Sequence, residues 1–231
     1  KEIDIAAVVA QLIHDQKVTI KYGGTTIQPT DPKLPDMLRK KSEIGRTSIS
    51  KRQVVSIQKI REVREFLRDY FDEMDVPEDE DGLIAHIVEK FSDEQKHYEG
   101  LLARYEGHKY PDMGLVSSAV DAMKDILSQQ RDNTALIDRI IKKEDDLYGL
   151  KDKMQNVESF FKNQVSLFDS AVKYESDLRV DLDYIAKNEE ANKALNTIRL
   201  ITMMPTGGSF NYARIPELNG LMATVREKHG A

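Results

Sequence analysis

The stretch that most constrains the fold lies at residues 156–183, NVESFFKNQVSLFDSAVKYESDLRVDLD. It holds three of the chain's seven Phe residues. Its apolar side chains form one stripe at helical spacing, namely Val157, Phe161, Val165, Phe168 and Val172, broadened by Phe160, Leu167 and Ala171. A stripe this broad predicts a helix buried between several others. Its aromatic rings are expected in the core of a helical bundle, because such rings mostly supply buried area.

Apolar residues recur at helical spacing over most of the chain. They predict a helix over residues 3–16, one over 54–71 and a further series after residue 84, with helix ends near Gly107, Gly149 and Pro205. Five residues of the 54–71 helix are expected to point inward: Ile57, Ile60, Val63, Leu67 and Tyr70. The pattern predicts a mainly α fold.

A β-hairpin is predicted between the first two helices. The segment KVTIKYGGTTIQP alternates apolar and polar residues around Gly23-Gly24, and this Gly pair allows the positive φ angles of a two-residue turn. Closing on that turn places Tyr22 opposite Thr25 and Ile20 opposite Ile27.

The segment after the hairpin predicts a short helix and a third strand. Thr30 or Asp31 is the expected N-cap, Pro32 lies in the first turn, and Gly45 ends the helix. The following RTSISKRQV alternates again. Residues 1–71 are therefore predicted to form a small basic helix–hairpin–helix module, similar to winged-helix modules, followed by a helical bundle at 76–231.

The charge of the chain is unevenly distributed. Its net charge is −6, yet residues 33–68 hold eleven Lys or Arg against four Asp or Glu. The next stretch, 69–81, holds eight acidic residues and no basic one, and its segment MDVPEDEDG marks the expected domain boundary. A mean charge hides such an asymmetry.

The basic segment predicts contact with a polyanion. Clustered Lys and Arg can neutralise phosphates and release counterions, so double-stranded DNA is a candidate partner. Two alternatives stay open: a solvated face, or a surface that docks onto acidic protein groups, including those of this chain. The candidate contact residues are Arg39, Lys40, Lys41, Arg46, Lys51, Arg52, Lys59, Arg61, Arg64 and Arg68.

Catalytic motifs are sparse in the sequence. Neither Gly23-Gly24 nor Gly207-Gly208 is followed by Gly-Lys, so the phosphate cradle of a P-loop is missing, and no Cys is available for thiolate chemistry. Glu94 and His97 have the Glu-x-x-His spacing of di-iron bundles, but such a site needs a second copy. A metal-dependent bundle enzyme is therefore only a weak alternative, and no cofactor is expected in this segment.

No apolar run reaches the roughly 18 residues that a membrane span requires, and no signal peptide opens the chain. A cytoplasmic location is expected. Because the chain begins with Lys1 instead of Met and its apolar residues are in helical register from Ile5 onward, it is expected to be a segment of a longer protein.

Five blocks of the sequence resemble one family: TIKYGGTTIQPTDPKLPDMLRKKSEIG, YFDEMDVPEDEDGLIAHIVEKF, ARYEGHKYPD, VESFFKNQVSLFD and ALNTIRLITM. They are similar to the BREX phage-resistance P-loop proteins, the BrxC/PglY family. The resemblance implies a large AAA+-type ATPase of a bacterial defence system, with ATP and Mg²⁺ bound elsewhere in the parent protein. None of the blocks is a catalytic motif.

Together these observations lead to two hypotheses of function. The first is a non-catalytic structural and interaction segment of the BREX ATPase, with DNA contact through residues 33–68. The alternative is a protein–protein scaffold that docks another BREX subunit or a second copy of the chain, as in a homo-oligomer. DNA binding that weakens with salt separates them.

Overall fold

The computed structural model describes residues 5–15, 17–52 and 54–229. Within them the fold is mainly helical, as predicted. The helices are α1 (Ile5–His14), α2 (Leu34–Arg39), α3 (Lys41–Ile44), α4 (Ile57–Phe71), α5 (Glu80–Ala103), α6 (Met113–Leu127), α7 (Asn133–Ser159), α8 (Val165–Asp177), α9 (Leu182–Ile185), α10 (Glu189–Thr202) and α11 (Leu218–His229). The strands are β1 (Val18–Tyr22), β2 (Thr25–Ile27) and β3 (Thr47–Lys51).

The three strands form one antiparallel sheet in the order β2-β1-β3. The predicted hairpin register is confirmed, since Ile20 pairs with Ile27 and Tyr22 with Thr25. Gly23 and Gly24 adopt φ angles of +56° and +84°, which L side chains rarely tolerate. The predicted third strand is also confirmed as β3, which pairs with the other side of β1.

A small aliphatic core joins the sheet to the helices around it. Ile13 of α1, Ile20 of β1 and Leu34 of α2 are buried together. Partly buried side chains complete this core: Val9, Val18, Ile27 and Leu38. This arrangement of short helices on one face of a three-stranded sheet confirms the predicted winged-helix-like module.

The short helix after the hairpin begins later than predicted. Its N-cap is Lys33, whereas Thr30 and Asp31 precede it in a turn where the Asp31 carboxylate accepts a 2.8 Å hydrogen bond from the Lys33 amide. That turn occupies Asp31, so the helix starts only at Leu34. It is also broken in two, because Lys40 is extended with ψ of 124°. Gly45 ends the second piece, as predicted.

Helix α4 begins at Ile57 because the hydroxyl of Ser56 accepts a hydrogen bond from the Lys59 amide and caps it. Ile57, expected to point inward, is 78% exposed, which corrects that prediction. It lies in the first turn, outside the buried face that Val63 and its neighbours form. Leu67 and Tyr70 are buried on that face, as predicted. Phe66 is buried there as well, although the sequence pattern did not predict it.

The predicted break before the aromatic stretch is wrong. Helix α7 runs without interruption from Asn133 through Gly149 to Ser159. A single Gly inside a long helix weakens it without ending it. The aromatic stretch therefore begins inside α7 and continues, through a π-helical turn at Phe160–Gln164, into α8.

The π-helical turn explains which of the striped residues are buried. Its amide–carbonyl bond, from the Val165 amide to the Phe160 carbonyl, spans five residues instead of four. The extra residue rotates the following helix, so Val172, at the far end of the predicted stripe, is 44% exposed. Phe161 and Phe168 are buried, at 5% and 1% exposure, which confirms the prediction for the two rings.

The chain groups into two compact units, one formed by residues 1–95 and 122–145 and the other by 96–121 and 146–231. The predicted division into domains 1–71 and 76–231 stays a prediction. The basic segment and the acidic segment that follows it belong to the first unit. Among the helices of the described ranges, none is both long and apolar enough to cross a membrane.

Candidate nucleic-acid interface

The first half of the basic segment is held in place by contacts among α3, β1 and β3. The Tyr22 hydroxyl donates to the Glu43 carboxylate, and that hydrogen bond is the main reason the pKa of Tyr22 is raised. The Thr47 hydroxyl donates to the carbonyls of Met37 and Glu43, at 3.2 and 2.9 Å. These contacts fix the two short helices against the sheet edge and thereby orient the cations they carry.

Five candidate residues of this half are exposed: Arg39, Lys40, Lys41, Arg46 and Lys51. Lys40 pairs with Asp36 at 2.8 Å on its own helical turn, and this hydrogen bond raises the pKa of Lys40. Arg46 lies over the ring of Tyr22, 4.7 Å from its centre.

The other three cations, Arg39, Lys41 and Lys51, differ from these two. Within residues 5–15, 17–52 and 54–229 they have no acidic partner. Their charge is therefore available to a ligand, and we call them the free cations.

Arg52 is used inside the protein. Its guanidinium pairs with Glu80 at 2.9 Å, and both of its terminal nitrogens donate hydrogen bonds to the carboxylate of Asp81. Only 10% of the Arg52 side chain and 9% of the Glu80 side chain are exposed. Asn133 donates a further 2.9 Å hydrogen bond to Glu80. Arg52 is thus the partner of a buried carboxylate, with little surface left for a phosphate.

The candidate residues on α4 fall into two groups, those that contact other groups of the protein and those that are exposed. Lys59 pairs with Asp138 at 2.6 Å, and Arg64 donates to the carbonyl of Val76 at 3.0 Å and to Glu78 at 3.3 Å. Arg61 and Arg68 are exposed, and no acidic group in the described part of the chain pairs with them. Arg52 and Arg64 therefore pair with carboxylates of the acidic segment, while Arg61 and Arg68 do not.

Two further cations escaped the sequence reasoning. Lys21 is exposed on β1, directly opposite Ser48 of β3. The alternation of the hairpin could have revealed it, since Lys21 falls on the side opposite Ile20. Arg131 precedes α7 and is also exposed. Only the fold brings it near the sheet, so no local signal could have identified it.

The histidine of the Glu94–His97 motif contacts a different carboxylate, that of Glu158. His97 Nε2 lies 2.5 Å from Glu158 Oε1, and both side chains are partly exposed. Among the described residues, no group of three or more His, Cys, Asp or Glu side chains is arranged to hold a metal ion. The metal-enzyme alternative gains no support from this arrangement and stays a hypothesis.

These features define a protein with a winged-helix module ahead of a helical region. Residues 1–53 match the family described as the BREX ATP-binding protein BrxC winged helix-turn-helix domain. Residues 59–182 match the BREX ATP-binding protein BrxC alpha helical domain, and this match covers more than half of the chain. The chain belongs to the BrxC family, which confirms the resemblance seen in the sequence. No solved structure matches it.

Proposed function

We propose that this chain is a non-catalytic interaction segment of a BREX defence ATPase and that its winged-helix module contacts double-stranded DNA. The observation that carries the proposal is the set of free cations, Arg39, Lys41 and Lys51, exposed on one small module of an acidic protein. Exposed cations without partners can neutralise phosphates and release the condensed counterions of DNA, which drives binding independent of sequence.

The remaining candidates take different roles in this proposal. Lys40 and Arg46 are accessible and add to the contact, although each has a partner within the chain. Arg61 and Arg68 offer further positive charge on α4. The three remaining candidates, Arg52, Lys59 and Arg64, stabilise the first unit through internal carboxylates and carbonyls.

The helical region has a different role. It would dock other BREX subunits or a second copy of the chain in the cytoplasm, while ATP and Mg²⁺ are bound elsewhere in the parent protein. This division of labour rests on the sequence, which lacks the Gly-x-x-x-x-Gly-Lys motif of a nucleotide site.

A protein–protein scaffold is the second candidate function, and a specific observation favours it. The basic segment already binds carboxylates in this chain, at Arg52, Lys59 and Arg64. A carboxylate-rich face of another BREX subunit could bind the free cations in the same way. Such a scaffold would bind DNA weakly or not at all.

A salt titration of duplex DNA binding separates the two functions. The first variant replaces Arg39, Lys41 and Lys51 with Ala. Each phosphate contact contributes about 0.9 to the slope of log affinity against log salt, so losing three should lower the slope by about 2.7. Fluorescence anisotropy of a labelled duplex at several salt concentrations measures the slope.

The matched control replaces three other exposed lysines, Lys142, Lys162 and Lys187, for which the described part of the chain shows no acidic partner. The control removes the same charge and should leave the slope unchanged. Both variants should keep the circular-dichroism spectrum of the parent chain. If the parent chain does not bind duplex at low salt, or if both variants lose binding equally, the scaffold function replaces DNA contact.

A further inference from the structure

One face of the sheet is polar and is not used by the core of the module. Residues paired directly across antiparallel strands share a face. The register places Lys21 beside Thr26 of β2 and Ser48 of β3, and Thr19 beside Ser50. The opposite face carries Ile20 and packs into the aliphatic core. The sheet therefore presents hydroxyls and a lysine on the side that faces away from that core.

A groove of about 600 Å³ lies against the sheet, and its lining takes in both faces, since Ile20 of the aliphatic core borders it as well as the polar residues. Thr19, Lys21, Thr26 and Ser50 line it from the sheet, and residues 131–134, ahead of and at the start of α7, line it from the other side. All of these residues belong to the first compact unit. The groove is therefore a feature of that unit alone.

The charge available in the groove is positive. Its lining includes four cationic side chains and two carboxylates. Arg52 binds the carboxylate of Asp81, whereas the Asp132 carboxylate accepts a 3.0 Å hydrogen bond from the Ala135 amide and keeps its negative charge, so the lining carries two more positive than negative side chains. The remaining cations, Lys21, Lys51 and Arg131, are exposed, and the described residues offer them no acidic partner.

The neutral groups of the groove include hydroxyls that can donate hydrogen bonds to a phosphate. Within the described ranges, the hydroxyls of Thr19, Thr26 and Ser50 make no hydrogen bond to other protein groups. Hydroxyls and cations together are the usual donors to the phosphate oxygens of a nucleic-acid backbone. Lys51 belongs both to this groove and to the free cations, so the groove continues the proposed DNA-binding surface.

From this placement we propose that the groove binds the phosphate backbone of one strand of duplex DNA and that Arg131 is a phosphate contact. The proposal rests on the DNA contact of the winged-helix module proposed above. It adds a contact residue from outside that module and makes the surface bipartite. The duplex then touches the sheet, including Lys51 at the end of β3, and the segment ahead of α7 together.

The experiment compares Arg131→Ala with Lys51→Ala and with the control Lys142→Ala in the complete chain. Affinity for a labelled duplex is measured across salt concentrations by fluorescence anisotropy. Arg131→Ala and Lys51→Ala should each lower the salt slope by about 0.9, since each removes one phosphate contact. The double variant of Arg131 and Lys51 should lower it by about 1.8. Lys142→Ala should leave it unchanged.

The outcomes distinguish this inference from the function on which it rests. If the parent chain does not bind duplex, both are overturned. If Lys51→Ala lowers the slope and Arg131→Ala does not, the bipartite groove is wrong while DNA contact by the winged-helix module stands.

Two competitors test the identity of the ligand. A single strand of the same sequence that binds more tightly than the duplex at every salt concentration would contradict the duplex assignment. A poly-glutamate peptide that binds as tightly as the duplex, with the same loss in Arg131→Ala, would identify the groove as a site for an acidic protein.

Discussion

The two halves of the basic segment have similar charge but different surroundings. In residues 39–51 the cations lie on short helices and a strand edge, exposed and mostly without acidic partners. In residues 52–68 three of the five cations are bound to carboxylates or a carbonyl of the same unit, whereas Arg61 and Arg68 are exposed. Lys51 and Arg52 are adjacent in the chain, yet one faces solvent and the other pairs with a nearly buried glutamate.

This difference shows that a count of charges along a sequence does not define a binding surface. An ion pair inside the protein uses the same attraction that a phosphate would use, so a paired cation contributes stability instead of affinity. The first half is suited to contact a ligand and the second to hold the unit together. Substitutions should separate these two roles, because stability and DNA binding are measured independently.

The largest effect on stability is expected at Arg52. Arg52→Ala leaves Glu80 with its charge nearly buried and, among the described residues, with the Asn133 side-chain amide as its donor, which should lower the free energy of unfolding by about 3 kcal/mol. Lys51→Ala should change it by less than about 0.5 kcal/mol, because Lys51 is exposed and has no partner in the described ranges. Urea unfolding followed by circular dichroism measures both values.

A second substitution checks the cause of the Arg52 effect. In the Arg52→Ala background, Glu80→Gln removes the uncompensated charge and should recover part of the lost stability. In the parent background the same change should destabilise the protein, because Arg52 then lacks one of its partners. Equal effects of Lys51→Ala and Arg52→Ala on stability would mean that the two halves of the segment do not differ in the way described.

A smaller effect is expected at Arg64. Arg64→Ala removes the donor to the carbonyl of the buried Val76, which should lower the free energy of unfolding by about 1–2 kcal/mol. Its pair with Glu78 adds little, since 85% of the Glu78 side chain is exposed. The matched control is Arg61→Ala, on the same helix but exposed, and it should change stability by less than about 0.5 kcal/mol. A larger loss for Arg61→Ala than for Arg64→Ala would contradict this order.

The sequence predicts the parts of this fold that depend on near neighbours. The hairpin register follows from the Gly pair and the alternation beside it, and both lie within a few residues. The pairing of the cations could not be predicted, because Arg52 meets Asp81 from 29 residues away and Lys59 meets Asp138 from 79. The extra residue of the π-helical turn could not be predicted from the sequence either, because helical periodicity assumes a constant number of residues per turn.

The smallest effect on stability is expected at Lys59. Its pair with Asp138 tests whether a half-exposed ion pair also helps to hold the unit together. Both side chains are close to half exposed, at 44% and 46%, so water and salt screen their attraction. Lys59→Ala should lower the free energy of unfolding by about 0.2–1 kcal/mol. A double-mutant cycle with Asp138→Ala isolates the coupling between the two side chains, and raising the salt concentration should reduce that coupling.

A coupling of about 2 kcal/mol or more, unchanged by salt, would mean that this pair is shielded from solvent. Lys59 would then belong with Arg52 among the residues that hold the unit together. A small, salt-sensitive coupling leaves Lys59 able to exchange Asp138 for a phosphate, which would add Lys59 to the positive charge that Arg61 and Arg68 offer on α4.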